Sequence, residues 1–315
     1  MLPSLSSMAS RLRLRQLRLL ISLDELGSIH KAAEAMSITQ PGATKALNEI
    51  ESTLGAVLFE RTSKGLEAND LGRCVVRYAR LIGNDLAHLR EEMLGILQGH
   101  GGRLSVGTIM GAVPIMVEGL ARLRENQPDL SVSVVEDTSD RLLNLLDQGR
   151  VDVVICRTSV SPRPTAYESR VKHQEQLVLV ANPAHPLAAC AALTLEQLAH
   201  SRWVVFPVNM PMRLTLEREF REAGLSFPQY PIETSSTFTT LSMLMQDRDL
   251  LAVMPWDVAR TALDHGMLVR LPLQLKSRSE PYEVVTRVGV ELSKPAQVLV
   301  DILMDQTPSS AREAQ

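Results

Sequence analysis

Residues 28–65 read SIHKAAEAMSITQPGATKALNEIESTLGAVLFERTSKG and decide the fold of the first part of the chain. The leading serine can cap a short helix that buries Ala32 and Ala33, and Ser37-Ile38-Thr39 then forms a turn. A further helix begins near Pro41, at a position where the missing N–H costs nothing. Two short helices that pack through small residues across a three-residue turn are typical of a helix-turn-helix.

The helix that contains Pro41 has one apolar and one polar face. The apolar face consists of Ala43, Ala46, Leu47, Ile50 and Leu54. The polar face consists of Gln40, Thr44, Lys45 and Asn48. Its N-terminal half is the surface that can enter the major groove of DNA. Residues 54–65 then predict a β-turn wing, in which Arg61 and Lys64 can contact backbone phosphates.

Helical spacing continues on both sides of this segment. Upstream, apolar residues from Leu12 onward predict a helix that Gly27 ends, and the Ser-rich residues 1–11 are expected to be disordered. Downstream, residues 70–98 predict one helix of roughly 40 Å. Its apolar seam consists of Leu71, Val75, Tyr78, Ile82, Leu86, Leu89, Met93 and Leu97. Such a seam favours a second copy of the chain as partner, and the alternative is packing on the chain's own body.

From Arg103 the pattern changes to alternating strands and helices, which predicts an α/β domain with largely parallel sheets. Gly99, Gly101 and Gly102 predict a hinge before it. Strands are expected at 104–108, 130–135, 151–156, 177–181, 203–206, 250–254 and 282–288. Helices are expected at 113–124, 140–148, 213–223, 239–246 and 255–263, and residues 305–315 are expected to be disordered.

Composition narrows the class of protein. With 45% hydrophobic and 22% charged residues the chain is globular, and no apolar run reaches the roughly 18–20 residues that cross a bilayer. A soluble, cytoplasmic protein without a membrane partner is expected. Residues 1–65 carry eight Lys and Arg against six Asp and Glu, although the net charge of the whole chain is −3. This distribution is compatible with DNA contact by the first segment alone, although the asymmetry by itself is a weak signal.

Signals for enzyme chemistry are absent from the sequence. Three widely separated cysteines and seven scattered histidines offer no zinc spacing, and the common nucleotide-binding and hydrolase motifs are missing. The sequence therefore predicts a protein that is not an enzyme, with no catalytic residue, metal or cofactor.

The chain resembles the LysR-type transcriptional regulators. The matching features are an LG-S-AA pattern, then TQP-G-T-K, then IE-LG-LFER, and residues 177–188 (LVLVANPAHPLA) resemble the phrase that opens the family's second effector subdomain. The resemblance spans about residues 12–304. It implies an all-α head with a winged helix-turn-helix (12–69), a linker and dimerisation helix (70–98), a hinge (99–102) and an α/β effector domain (103–304). That domain is expected to have two lobes, as type 2 periplasmic binding proteins do, with lobe I at about 103–171 and 271–304 and lobe II at about 172–270.

The resemblance also implies partners and site residues. Promoter DNA, a small-molecule effector and RNA polymerase are the expected partners, and the expected assembly is a homodimer through the linker helix or a homotetramer. The expected DNA-contacting residues are Ser28, Lys31, Thr39, Gln40, Pro41, Thr44, Lys45 and Arg61. Gln40 matches the base-contacting glutamine, whose amide can pair with adenine. Taken singly, each polar residue could equally be part of a solvated helix face.

The effector is expected to bind between the lobes. The family's pattern places around it Thr108, Met110, Gly111, Arg157, Thr158, Phe206, Pro207, Asn209, Ser235, Ser236, Thr237 and Met254. Arg157 could clamp a carboxylate or sulfonate, which would make the effector a small organic anion, or it could form a structural ion pair at the surface. Cys156 beside it could act as a thiol sensor only with a resolving partner, which the sequence does not offer.

Two other classes of protein compete with a regulator. A solute-binding module would not need the groove-facing Gln40, Thr44 and Lys45, and it would carry a secretion signal, which the arginines near the start of the chain exclude. An enzyme built on the α/β domain would need a nucleophile with a base or a metal cluster, and the sequence suggests neither.

Overall fold

The computed structural model describes residues 3–63, 65–98 and 102–305. The chain forms two compact units, one built on the residues up to Arg103 with two short later segments, and one built on most of the remainder. Three expectations fall outside the described residues: the phosphate contact of Lys64, the hinge at Gly99 and Gly101, and the disorder of residues 306–315.

The first unit contains the helix-turn-helix. Its elements are α1 (Leu5–Arg11), α2 (Leu14–Leu26), α3 (Ile29–Ala35), α4 (Gln40–Leu54), β1 (Phe59–Thr62), β2 (Gly65–Ala68) and α5 (Asp70–Gln98). Side-chain caps set the helix starts, because Ser28 accepts a hydrogen bond from the Lys31 N–H and Thr39 accepts one from the Gly42 N–H. Gly27 ends α2 in the left-handed conformation, at φ 60°. The predicted winged helix-turn-helix is confirmed.

Helix α1 was not predicted, and the expected disorder of residues 1–11 is wrong for Leu5–Arg11. Ser4 caps α1 by accepting from the Ser7 N–H, and the partly buried Met8 and Leu12 pack against the core of this unit. The Ser-rich composition obscured a helical spacing of apolar residues at positions 5, 8 and 12.

Helix α5 extends over 29 residues, as predicted, and has two different sides. On one side Val76 and Ala79 are buried in the core of the first unit, and Arg80 pairs with Asp24 at 2.8 Å and Glu25 at 2.6 Å. The apolar seam is mostly open, and its exposed members are Leu71, Tyr78, Ile82, Leu86, Leu89, Met93 and Leu97. Val75 is the seam residue that packs, partly buried, against the core of the first unit.

Two five-stranded sheets organise the second part of the chain. One has the order β4-β3-β5-β12-β6, and the other has the order β11-β7-β10-β8-β9. The first contains β3 (Arg103–Thr108), β4 (Ser131–Glu136), β5 (Val153–Cys156), β6 (Tyr167–His173) and β12 (Tyr282–Arg287). The second contains β7 (Leu177–Ala181), β8 (Arg202–Val205), β9 (Ile232–Glu233), β10 (Leu250–Pro255) and β11 (Val269–Leu271).

Seven α-helices accompany these sheets in the described part of the chain. They are α6 (Val113–Asn126), α7 (Ser139–Asp147), α8 (Leu195–Leu198), α9 (Pro211–Glu222), α10 (Thr237–Gln246), α11 (Trp256–Asp264) and α12 (Lys294–Asp305). The sequence did not predict β6, β9, β11, α8 or α12. Helix α12 packs on α6, where Gly119 leaves room for Leu299 and Leu303.

The expectation of largely parallel sheets is wrong. Strand β12 runs antiparallel to both β5 and β6, and β7 runs antiparallel to both β10 and β11. The reason is that the chain crosses between the sheets twice, in the segments 174–176 and 272–281. Strand β6 ends at His173, so the first crossing lies slightly later than the expected lobe boundary at 171/172.

The helices of the described ranges do not suit a bilayer. None of them is both long enough and apolar enough to span one.

Candidate functional site

Helix α4 presents the predicted polar face to solvent. Its apolar residues Ala43, Leu47, Ile50 and Leu54 are buried in the core of the first unit. Gln40, Pro41, Lys45 and Asn48 are exposed, and Thr44 is half-buried. The buried face fixes the helix, so the exposed side chains keep a defined position relative to the rest of the unit.

Local hydrogen bonds decide what the side chains of this face can offer. The Thr44 hydroxyl donates to the Gln40 carbonyl oxygen at 3.1 Å, so its methyl group is left for an apolar contact. Lys45 Nζ lies 4.0 Å from Glu49 Oε1, with both side chains more than half exposed, and such a pair is weak and easily exchanged. Ser28 and Thr39 accept bonds from helix N–H groups, which leaves each hydroxyl free to donate to a phosphate.

An open groove of about 1270 Å³ runs along this face. It is lined by Ser10, Arg11, Arg13, Gln16, Gln40, Pro41, Thr44, Lys45, Asn48, Glu49, Ser52 and Thr53. Four of the DNA-contacting residues expected from the sequence therefore share one surface. The residues from α1 and the start of α2 were not expected there, although the run of arginines at positions 11, 13, 15 and 18 was a visible signal.

The predicted wing is a two-stranded hairpin. Arg61 of β1 pairs with Leu66 of β2, and the Arg61 side chain is exposed. The Leu66 N–H donates to the Gly27 carbonyl oxygen at 2.8 Å, which ties the wing to the end of α2. A Cβ on Gly65 would lie 2.7 Å from that same oxygen, and Gly65 has φ 126°, so glycine is required at this contact.

The expected effector residues lie in or shortly after strands of both sheets. Thr108, Met110, Gly111, Arg157, Phe206 and Met254 are buried, Thr158, Pro207 and Thr237 are half-buried, and Asn209, Ser235 and Ser236 are exposed. Met110, Phe206 and Met254 belong to one hydrophobic cluster, so the structure brings these three together. Thr158 Oγ1 instead donates to Glu283 Oε2 at 3.0 Å.

Arg157 is neither an open anion clamp nor a surface ion pair. Only 5% of its side chain is exposed, and Nη2 lies 2.8 Å from Glu175 Oε2 and 3.2 Å from Ser279 Oγ. Its Nε donates to the Glu280 carbonyl oxygen at 2.9 Å, and Ser279 Oγ donates to Glu175 at 2.7 Å. The anion-clamp interpretation is wrong, because a carboxylate of the chain already neutralises the guanidinium.

This network explains the glycine beside it. A Cβ on Gly111 would overlap Glu175 Oε1. Gly111 was expected beside the effector, and in this structure it lets the Glu175 carboxylate approach the backbone. Since Glu175 and Ser279 lie in the two crossing segments, Arg157 connects the end of β5 to both crossings. Arg157 was the only reason to expect an anionic effector, and its charge is already paired within the chain.

Other ionisable groups near the crossings are shifted by burial. The His173 ring stacks on Tyr282 with centroids 5.4 Å apart, and burial lowers the pKa of His173. Burial raises the pKa of Asp257, whose charge acts on His173. Burial also raises the pKa of the Cys156 thiol to about 12, so it is protonated at neutral pH and is not a reactive sensor.

Thr237 stands out among the expected effector residues. Its Oγ1 is buried and has no hydrogen-bond partner within the described ranges. The neighbouring Ser236 is occupied, because it caps α10 by accepting from the Thr239 N–H at 3.2 Å. A buried hydroxyl without a partner carries a free-energy cost, and that cost disappears when a ligand supplies the missing bond.

The side chains that commonly bind metals are dispersed in this fold. Across residues 3–63, 65–98 and 102–305, no group of three or more His, Cys, Asp or Glu side chains could hold a metal ion.

Two family descriptions match this chain. "Bacterial regulatory helix-turn-helix protein, lysR family" matches residues 14–73, and "LysR substrate binding domain" matches residues 97–308. The HTH-type transcriptional regulator GbpR of Azospirillum brasilense is 31% identical over 97% of this chain and 90% of its own length. The HTH-type transcriptional regulator GalR of Pseudomonas putida is 29% identical over 90% of this chain and 71% of its own length.

Solved structures agree on the fold. CbnR in complex with its target DNA has a TM-score of 0.62 at 21% identity, covering 94% of this chain and all of that one. ArgP from Mycobacterium tuberculosis has a TM-score of 0.63 at 19% identity, covering 92% of this chain and 95% of that one. At these identities the likeness supports the fold alone, with the same order of domains along nearly the whole chain.

Proposed function

The chain belongs to the LysR family of transcriptional regulators, and from that premise we propose which residues read DNA, which face assembles the oligomer and which group awaits the effector. Its helix-turn-helix is the DNA-binding domain, and residues 97–308 form the effector-binding domain. Binding of a small molecule in the effector domain changes the regulator's action on transcription.

Helix α4 reads the promoter, with Gln40 at the base edges and Arg61 of the wing at the neighbouring backbone. The single observation that supports this proposal is the exposure of Gln40, Pro41 and Lys45 on a helix whose other face is buried. Phosphate contacts from Ser28, Lys31 and Thr39 would position the helix, and the methyl group of Thr44, whose hydroxyl is bonded to Gln40, would touch a thymine methyl.

A gel-shift titration tests this function. The probe is the intergenic DNA upstream of this chain's own gene, compared with a random-sequence duplex at physiological salt, because family members often control neighbouring genes. The protein should bind the intergenic fragment at least ~1000-fold more tightly than the random duplex. Equal affinity for the two DNAs would contradict the proposed function for this promoter region.

The open seam of α5 forms a homodimer, which can pair further into a tetramer. Its residues follow the spacing of three and four that two supercoiled helices require. Leu86 and Leu89 are 43% and 53% exposed in the single chain, and burying them against a second copy would remove an apolar stripe from water. RNA polymerase as a further partner remains a prediction from the family.

Replacing Leu86 and Leu89 with glutamate should break the dimer. Each buried leucine contributes about 1.5–3 kcal/mol, so the dimer dissociation constant should rise by roughly a hundredfold or more. Sedimentation velocity over a concentration series measures it. Ala87→Glu on the same helix changes an exposed residue outside the seam and serves as the control. Identical association of the double variant and the control would remove the seam from the interface.

The Thr237 hydroxyl is the effector contact that the described residues leave open. Met110, Phe206 and Met254 belong to one buried hydrophobic cluster, and Asn209, Ser235 and Ser236 are the exposed members of the expected site. A largely apolar site with few polar groups is the usual composition for a small ligand. Such an effector would present one hydrogen-bonding group to Thr237.

Thr237→Val should stabilise the effector-free protein. The variant removes a buried hydroxyl that lacks a partner among the described residues at nearly constant volume, and about 1 kcal/mol corresponds to a rise of roughly 2–4 °C in the thermal midpoint. Thr240→Val is the matched control, since the Thr240 hydroxyl donates to the Ser236 carbonyl at 3.1 Å and its loss should lower the midpoint. A lower midpoint for Thr237→Val would show that its hydroxyl is already satisfied.

A further inference from the structure

Helix α1 lies before the segment that the family's helix-turn-helix description covers, which begins at residue 14. Nevertheless Ser10 and Arg11 from the end of α1, and Arg13 just before α2, line the same groove as Gln40, Thr44 and Lys45. The chain therefore adds an edge to the α4 surface that the family's own DNA-binding segment does not supply.

This edge is positively charged. Arg11 and Arg13 are exposed, and neither forms an ion pair with the residues that the structure describes. The charged residues that line the groove are these two arginines, Lys45 and one carboxylate, Glu49. Glu49 lies 4.0 Å from Lys45 and balances at most that lysine, so the charge of both arginines is left over.

The edge is also ordered before any ligand arrives. Met8 and Leu12 pack against the core of the first unit, and Ser4 caps the helix. The Arg13 backbone N–H is held by Gln16 Oε1 at 3.0 Å, which fixes the junction between α1 and α2. Arginines carried on a fixed backbone lose less freedom on binding than arginines on a disordered arm.

The positive charge of the groove and its position beside α4 indicate which ligand binds there. A groove with excess positive charge on the side of a DNA-reading helix matches the phosphates that border the major groove. Ser52 and Thr53 of α4 add hydroxyl groups to the lining of the groove, and hydroxyls commonly bind phosphate oxygens. Contacts to phosphates carry no sequence information.

We propose that Arg11 and Arg13 bind two backbone phosphates of duplex DNA beside the groove that α4 enters, and so extend the footprint beyond the helix-turn-helix and wing. This inference rests on the proposed reading of DNA by α4. It adds affinity without adding discrimination between sequences, because phosphates are the same at every site.

The test is the salt dependence of binding by the full-length Arg11→Ala, Arg13→Ala double variant. Each lost phosphate contact lowers the slope of log K against log salt by about 0.9, so the slope should fall by about 1.8 for each bound head. Fluorescence anisotropy on a random-sequence duplex and on the intergenic fragment measures both slopes. The ratio of the two affinities should not change, because only backbone contacts are removed.

Matched variants show whether the change in slope comes from these two positive charges. Arg18→Ala removes an exposed arginine of α2 that does not line the groove and should retain the wild-type slope. Arg11→Lys with Arg13→Lys keeps both charges and should restore most of the slope. A wild-type slope in the double alanine variant would overturn the inference. A higher affinity after deletion of residues 3–12 would also overturn it, because α1 would then screen the DNA-binding face.

The same titrations test the proposed function separately from the phosphate contacts of Arg11 and Arg13. If the wild-type protein does not prefer the intergenic fragment over the random duplex, the assignment of α4 as the reading helix is wrong for that DNA. If that preference is present and the double alanine variant retains the wild-type slope, only the phosphate edge is wrong.

Discussion

Gln40→Ala is expected to reduce the preference of the protein for its promoter over random DNA by roughly 5- to 150-fold. The side-chain amide can pair with an adenine edge, and such a bidentate contact provides about 1–3 kcal/mol of discrimination. Gln40 is exposed at the first position of α4, while the buried Leu47 and Ile50 hold the helix in place. The variant should therefore fold normally and lose selectivity.

Lys45→Ala should instead lower the affinity and leave the preference between the two DNAs unchanged. Lys45 can reach a guanine edge or a phosphate, and we propose the phosphate. Such a contact contributes to every sequence equally, so affinity should fall on both DNAs and the salt slope should decrease by about 0.9. Thr44→Ala, which removes the γ-methyl group, should weaken binding only where a thymine faces it. Anisotropy titrations of each variant on both DNAs distinguish these patterns.

Two controls accompany these variants: their oligomeric state and a variant that is expected to have no effect on DNA binding. All three variants should sediment as the wild type, and Glu222→Ala, an exposed change on α9, should leave both affinities unchanged. Wild-type selectivity in Gln40→Ala would contradict base reading by this residue. A loss of the oligomer in any of the three would mean that their DNA data do not report on contact residues.

Arg157→Met is expected to lower the free energy of unfolding of the effector domain by about 3–5 kcal/mol. The substitution leaves Glu175 buried, at 3% exposure, without its cation, and uncompensated buried charge is strongly destabilising. Ser279 and the Glu280 carbonyl lose a partner at the same time. At roughly 2–4 °C per kcal/mol, the thermal midpoint of this domain should fall by about 6–20 °C.

A second substitution tests whether the loss comes from the unpaired charge. Adding Glu175→Gln to Arg157→Met removes the buried carboxylate and should recover more than half of the midpoint. Arg170→Met is the control, because its pair with Glu168 at 3.2 Å is partly exposed and contributes at most about 1 kcal/mol. Equal effects of Arg157→Met and Arg170→Met in calorimetry would contradict the proposed role of the network.

The helix-turn-helix was predictable because its signals are local. Ser28 and Thr39 mark helix starts, Gly27 marks a helix end, and Ala32 and Ala33 mark a close helix contact, all within a few residues of the structure they determine. The long helix α5 was equally visible in its own spacing. Helix α1 was missed because its three apolar residues are few among serines.

The effector domain was predicted less completely because its decisive contacts are distant in sequence. Arg157 meets Glu175 across 18 residues and Ser279 across 122, and no local pattern connects them. Strand β6 alternates charged residues, and its pairing with β12 depends on a chain that returns more than a hundred residues later. Thr237 was expected at the site, but only the folded chain reveals that its hydroxyl is unsatisfied by the described residues.

The contact between Gly65 and Gly27 has a consequence for site selection. Because backbone atoms join the hairpin to the end of α2, the hairpin is held in place and does not move independently to follow changes in the spacing of the DNA backbone. The duplex has to deform instead, and the energy of that deformation depends on base steps that no side chain touches. Stiff or flexible flanking sequence should therefore alter the choice of operator even where the bases read by Gln40 are identical.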